Sequence, residues 1–141
     1  GYVRVISFSL SLLGHDGDVF SGRPYPNLHD FVNLMKLPGL DLFESFVFKD
    51  RLRKFFKKKN KNKDDFYEFF IALIGGFPEP KTFGNRVDKY LTHNVDYDVI
   101  IDNQSLSYGL LNIQKSFPLI EIIHHPINVM IPKTALELKT T

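Results

Sequence analysis

The chain has 141 residues, of which 43% are apolar and 24% are charged, an ordinary composition for one globular domain. Cysteine is absent, which excludes disulfide bonds, thiolate nucleophiles and cysteine-ligated zinc. The formal net charge of +2 gives no support for nucleic-acid binding, and no nucleic-acid partner is expected. No apolar run approaches the roughly 18 residues that a membrane-spanning helix needs.

The first part of the chain predicts one helix and two strands. Apolar residues recur at helical spacing over residues 2–13, and Gly14 is well placed to end the helix. A short strand is expected at 18–21. The turn at 23–26, RPYP, cannot be helical because each proline restricts the residue before it. A second short strand is expected at 31–37.

The middle of the chain predicts two helices in succession. The first is expected at 66–74, where Asp64 and Asp65 suit its N-terminus. The run GGFP at 75–78 should break this helix. The second helix is expected at 79–93, with a proline in its first turn.

The last part predicts two strands joined by a helix. The strands are expected at 97–101 and 119–123, and the helix at 107–116. A strand, a helix and a second strand with a short crossover form a βαβ unit, which implies parallel pairing. Both strands are nearly continuous apolar runs, so both faces of the sheet should be covered. The tail at 129–141 is expected to start the next segment, with a helix near Lys133.

Polar side chains follow both of these strands. Asp102, Asn103 and Gln104 come directly after the first strand, and His124 and His125 come after the second. Ligands of open parallel sheets lie beyond the carboxyl ends of the strands. The two clusters are therefore the first candidates for a functional site.

Four passages of the sequence resemble one known family. They are LGHDGDVFSG at 13–22, RPYP at 23–26, GGFPEP at 75–80, and the segment from DVIIDNQ through YGLL to HHPIN at 98–128. Singly each passage is weak, but together and in this order they resemble the N-terminal domain of a family 4 glycosyltransferase. Enzymes of this family have the GT-B architecture and transfer sugars with retention of configuration.

The resemblance implies an α/β fold, a Rossmann-like open parallel sheet with helices on both faces. Residues 1–128 would be the acceptor-side half of a GT-B enzyme of carbohydrate biosynthesis. The first strand and a Gly-rich turn are expected upstream of Gly1. A C-terminal Rossmann-like domain, which makes most nucleotide contacts, is expected downstream as the partner of this one. The chain departs from the family at Ile101, where relatives often have His.

The resemblance also implies the ligands. The donor substrate would be a nucleotide-diphosphate sugar, and the acceptor a sugar, a lipid-linked molecule or an envelope polysaccharide. No cofactor and no metal are expected. The protein would be cytoplasmic, with the inner face of the membrane as a possible location.

By resemblance, His124 matches the histidine that lies beside the donor sugar and stabilises it in the transition state. The alternative is a histidine whose hydrogen bonds are satisfied at a strand end. We interpret His125 as structural, because adjacent strand residues point to opposite faces. Asp102, Asn103 and Gln104 suit sugar hydroxyls, which both donate and accept hydrogen bonds. Equally, Asp102 or Asn103 could cap the helix that follows.

Further candidates lie at the end of the earlier strand. Gly22 and Arg23, together with Ser21, could contact the acceptor or the diphosphate, since the guanidinium fork suits phosphate oxygens. A solvated turn is the alternative. Tyr25, held between two prolines, could stack on a sugar ring or close the edge of the sheet.

A basic segment separates the two halves of the chain. Residues 51–63 contain eight Lys or Arg, and we interpret 49–63 as a surface insertion that is partly helical. The run KFFKKK at 54–59 mixes cations with aromatics, a combination that can lie on an anionic membrane. The alternative is a solvated loop. For the whole chain, the alternative to an enzyme is a non-catalytic Rossmann-like module that binds a nucleotide or sugar, or an inactive gene fragment.

Overall fold

The computed structural model describes residues 1–42, 45, 47–93, 97–105, 107 and 109–124. The described backbone is mixed α/β and divides into two compact units, Gly1–Pro38 and Gly39–Thr141. Its strands form two separate parallel pairs, one in each unit. The α/β class and the parallel pairing are therefore confirmed.

The first unit contains one helix and two strands, α1 (Tyr2–Leu12), β1 (Asp18–Ser21) and β2 (Asn33–Lys36). Helix α1 ends as predicted at Gly14, whose φ of 85° is left-handed. The amides of Gly14 and His15 bond back to Ser11 and Leu10, a Schellman motif. Strand β1 has the predicted bounds, and β2 lies inside the predicted range.

The turn between β1 and β2 is non-helical, as predicted, and the Arg23–Pro24 peptide bond is cis. Three aromatic rings join α1 to the segment that precedes β2. The His29 ring lies 4.5 Å from that of Phe8 and stacks on Phe31 at 5.5 Å. These contacts fix the position of β2 beside β1, and Ser21 pairs with Lys36 at the carboxyl ends of the two strands.

The second unit contains four helices and two strands among its described residues. In chain order they are α2 (Phe48–Lys57), α3 (Lys63–Leu73), α4 (Glu79–His93), β3 (Ile100–Asp102), α5 (Gly109–Ile113) and β4 (Leu119–Glu121). The two predicted central helices are confirmed. Helix α3 begins three residues earlier than predicted, because Asn62 and Asp65 form a capping box and Asn62, not Asp64, is the N-cap.

The basic segment contributes to the core of this unit. Phe55 of α2 is buried and stacks on Phe69 of α3, with 4.4 Å between ring centroids. The cluster around them is Leu40, Leu42, Phe55, Phe69 and Ala72, with Leu52 packed against it. The interpretation of 49–63 as a surface insertion is therefore wrong in part. The segment is partly helical, as expected, since α2 ends at Lys57, but one side of this helix packs inward.

Strands β3 and β4 are parallel, as the βαβ unit predicts, with Ile100 paired to Leu119 and Asp102 to Glu121. Both are shorter than predicted, and β3 starts later than residue 97. The expectation that both faces are covered is wrong for the described residues. Ile101 is 38% exposed and Ile120 is 52% exposed.

None of the described helices is long and apolar enough to cross a membrane. The predicted tail helix near Lys133, the domain boundary at 128 and His125 all lie outside the described residues.

Candidate functional site

The carboxyl ends of β3 and β4 lie side by side because the strands are parallel and in register. Asp102 ends β3 opposite Glu121, the last residue of β4. The ladder extends one bond further, since the Ile122 amide donates to the Asp102 carbonyl at 2.8 Å. The chain after each strand therefore leaves the sheet at the same edge, which brings the two polar clusters together.

Asp102 stabilises the turn that follows β3. Its side chain is buried, and its Oδ2 atom accepts a hydrogen bond from the Ser105 amide at 3.0 Å. This geometry is typical of an aspartate that closes a turn on its own backbone. The Ser107 hydroxyl accepts a hydrogen bond from the amide of Gly109, the first residue of α5.

Gln104 joins the loop after β3 to the segment after β4. Its backbone is left-handed, with φ of 56°, a conformation that costs free energy for a residue with a β-carbon. In that conformation its Oε1 atom accepts a hydrogen bond from the His124 amide at 2.9 Å. The bond holds the backbone of His124 beside the loop, so Gln104 positions the histidine.

Asn103 contacts the imidazole of His124 directly. The His124 Nε2 atom lies 2.6 Å from Asn103 Oδ1, and both residues are exposed. With the proton on Nε2, the ring donates to the amide oxygen, and this bond then selects the tautomer and the ring orientation. The imidazole of His124 is therefore exposed and oriented by Asn103, while Gln104 holds the backbone of the same residue.

The arrangement suits hydroxyl groups better than a metal ion. An imidazole and a side-chain amide offer both donors and acceptors, which a sugar hydroxyl can use together. Within the described ranges no group of three His, Cys, Asp or Glu side chains is placed to hold a metal. Two shallow depressions on residues 111–119 lie at the amino end of β4, away from His124, and do not add to the site.

The other predicted residues belong to the first unit. Gly22 follows β1, and Arg23 is exposed on the turn. Tyr25 is half-buried, and the Lys36 ammonium lies over its ring, 5.3 Å from the centroid. Sequence reasoning missed Lys36. The available signal was the parallel pairing of β1 and β2, which places Lys36 at the same edge as Gly22.

The GGFPEP passage ends α3 and begins α4. Gly75 has a φ of 80°, and the amides of Gly75 and Gly76 bond back to Ala72 and Ile71. Both carboxylate oxygens of Glu79 are buried. Burial raises the pKa of Glu79 most, backbone hydrogen bonding at Glu79 and Leu42 offsets part of the rise, and the nearby carboxylates of Glu68 and Asp41 add to it. For the described residues this passage builds the α3–α4 connection.

The chain is similar to one curated enzyme over most of its length, although no protein-family model matches it. It is 45% identical over 129 residues to the MMP alpha-(1->4)-mannosyltransferase of Mycolicibacterium hassiacum, and the aligned region covers 89% of the chain. The predicted resemblance to a glycosyltransferase is therefore confirmed. The chain spans about a third of the length of this relative, 31%.

Proposed function

We propose that the chain is the N-terminal, acceptor-side part of a retaining GT-B glycosyltransferase. The whole protein would transfer a hexose from a nucleotide-diphosphate sugar to a carbohydrate acceptor. The observation that carries the proposal is the contact between His124 and Asn103 at the carboxyl ends of two parallel strands. The similarity to a named mannosyltransferase supports the same class of reaction and favours mannose as the transferred sugar.

The role proposed for His124 is to bind the donor sugar. Transfer from a sugar diphosphate passes through a state with positive charge on the anomeric carbon and negative charge on the leaving group. Hydrogen bonds that are stronger in this state than in the bound substrate accelerate the reaction. An exposed imidazole that is oriented by Asn103, on a backbone held by Gln104, can hold a sugar hydroxyl without reorganising when the reaction occurs.

The first unit would supply contacts to the acceptor or the diphosphate. Arg23 is exposed next to the end of β1, and its planar guanidinium can bond two phosphate oxygens at once. Lys36 adds a second cation at the same strand edge. Tyr25 would have two contacts in this proposal. The Lys36 ammonium lies over one face of its ring, and the other face would stack on a sugar.

The α linkage in the relative's name bears on the stereochemistry of the proposed reaction. An α-linked product formed from an α-linked nucleotide sugar has kept the configuration of the donor. A retaining reaction for this chain is therefore compatible with an α-(1→4) transferase as the relative.

The experiment is a transfer assay on the full-length protein that contains this chain. Nucleotide-diphosphate hexoses are supplied one at a time with α-linked mannose oligosaccharides, and the products are identified by NMR. The expected product carries one added hexose in α linkage. A product linkage of the opposite anomeric configuration to that of the donor supplied would contradict the retaining mechanism. Tight binding of the nucleotide sugar without any transfer would favour the non-catalytic binding module instead.

A further inference from the structure

Helix α3 carries an apolar stripe that is partly exposed. Phe66, Phe70, Leu73 and Ile74, spaced as i, i+4, i+7 and i+8, are all exposed. Phe70 is 60% exposed although Phe69 beside it is buried in the core. The helix therefore has two apolar sides, one that packs on α2 and α4 and one that faces outward. Contiguous exposed apolar residues of this kind mark interaction surfaces.

Helix α2, which packs against α3, carries exposed cations. Lys49, Arg53 and Lys57 are exposed and spaced four residues apart, so they lie on one side of the helix. Phe56 lies on the same side and is 70% exposed. Asp50 is the one acidic residue of α2. We call Lys49, Arg53, Phe56 and Lys57 of α2, with the stripe of α3, the aromatic–basic face.

Ring contacts make this face continuous across the two helices. The buried Phe55 ring lies 5.5 Å from Phe56 and 5.3 Å from Phe66, so the exposed rings of α2 and α3 share one neighbour. The Lys61 ammonium lies over both the Phe55 and Phe56 rings, at 5.1 and 5.9 Å. A cation and exposed rings therefore occupy one patch of surface.

Other cations of the basic segment have internal roles. Arg51 donates to the Ser45 and Ala72 carbonyls, and Lys54 donates to the Asp41 carbonyl. Lys58 pairs with Asp65 at 2.5 Å. These three stabilise the fold, whereas Lys49, Arg53 and Lys57 extend into solvent. The cations on the outward side of α2 are thus not the ones that hold the helix in place.

We propose that the aromatic–basic face binds an anionic membrane surface. Exposed Phe and Leu side chains can enter the boundary between headgroups and acyl chains, while neighbouring Lys and Arg attract acidic headgroups. Charge complementarity distinguishes this occupant from a second copy of the chain, since two such faces would bring cations against cations. The surface lies in the second unit, and the proposal does not depend on transferase activity.

The test is co-sedimentation of the full-length protein with vesicles of phosphatidylcholine containing 30% phosphatidylglycerol. Binding is expected to these vesicles, not to pure phosphatidylcholine, and to weaken as NaCl is raised. Each cation near the surface changes the partition constant about fivefold. The Lys49→Gln/Arg53→Gln variant should therefore bind about 25-fold more weakly. The Phe70→Ser variant should also lose binding, and thermal melts of both variants establish that they fold.

Matched controls change the same residue types elsewhere. Lys89→Gln/Lys115→Gln removes two exposed cations from α4 and the turn after α5, and Leu12→Ser removes an exposed apolar side chain of α1. Both should bind as the parent does. If Lys89→Gln/Lys115→Gln lost as much vesicle binding as Lys49→Gln/Arg53→Gln, the attraction would depend on net charge alone, and the proposal would be overturned. Failure of the parent protein to bind anionic vesicles would also overturn the proposal. A dimer that is seen by light scattering and lost in Phe70→Ser, without any vesicle binding, would overturn it as well.

Discussion

Gly84 of α4 and Gly109 of α5 are in backbone contact. A β-carbon placed on Gly109 would lie 2.7 Å from the Gly84 Cα atom, and one on Gly84 would lie 2.1 Å from the Ser107 hydroxyl oxygen. Only glycine at both positions allows this approach. Because α5 connects β3 to β4, the contact helps to place the loop that carries Asn103 and Gln104.

Alanine at Gly109 should therefore destabilise the second unit. The added methyl group overlaps backbone atoms, which cannot rotate away as a side chain can, and such overpacking costs about 1–3 kcal/mol. Urea unfolding of Gly109→Ala should show this loss. Gly17→Ala is the matched control, since a β-carbon there meets nothing within 4 Å. Equal stability of the two variants would contradict the close contact.

Removal of the Glu68 side chain should lower the free energy of unfolding more than Gly109→Ala does. Glu68 is fully buried and accepts hydrogen bonds from the Leu40 amide, Thr82 and Arg86, at 2.6, 2.5 and 2.7 Å. Glu68→Ala leaves the largely buried Arg86 cation without its partner. Breaking such a pair costs about 3 kcal/mol or more. Chemical denaturation measures the loss, and Glu121→Ala, which removes an exposed carboxylate, should change the free energy of unfolding little.

Glu79 should make stability depend on pH in the direction opposite to most carboxylates. Its pKa is raised above 4.5 in the folded state, so the native protein holds the proton more tightly than the unfolded chain. The contribution is present below the unfolded pKa and is lost as pH rises through the folded pKa.

Glu79→Gln keeps the shape of the side chain and removes its titration. The free energy of unfolding of the parent, relative to that of the variant, should fall as pH rises from about 4.5, the ordinary value. Denaturant unfolding at a series of pH values measures this difference. A difference that stays flat, or that grows with pH, would contradict a carboxyl group held in its neutral form by burial.

Local signals in the sequence predicted several elements well. Gly14 ends α1 by the predicted mechanism, and β1 has the predicted bounds, because each depends on neighbouring residues. Packing between distant residues was harder to predict. In the basic segment, Phe55 turns inward and Phe56 outward because Phe69, fourteen positions further on, packs on only one side of α2.

The sequence also predicted the position of the candidate site, but not the role of each residue in it. Parallel strands ending in polar residues indicated that the two clusters share an edge, and the contact between Asn103 and His124 agrees with this. The division of roles inside the cluster was not predictable. Asp102 closes a turn and Gln104 bonds a backbone amide, and these bonds depend on the left-handed backbone at Gln104. The three consecutive polar residues 102–104 carry no signal in the sequence that assigns one role to Asp102 and another to Gln104.

Asn103 should act on turnover through His124. Asn103→Ala removes the oxygen bonded to Nε2, so the imidazole can rotate and adopt the other tautomer. We expect kcat of the full-length protein to fall about tenfold, within the range for one lost positioning bond. Asn103→Asp keeps an acceptor oxygen and should retain more activity than Asn103→Ala. Equal activity of the two variants would argue against a positioning role.

The most direct test of the proposed function compares catalysis and binding in His124→Ala. In the full-length protein, kcat should fall about 100-fold or more while the Kd of the nucleotide-sugar donor changes little, because the lost hydrogen bond matters most in the transition state. His93→Ala, which removes an exposed histidine at the end of α4, is the control and should leave both quantities unchanged. Equal losses in turnover and donor binding would contradict a transition-state role for His124.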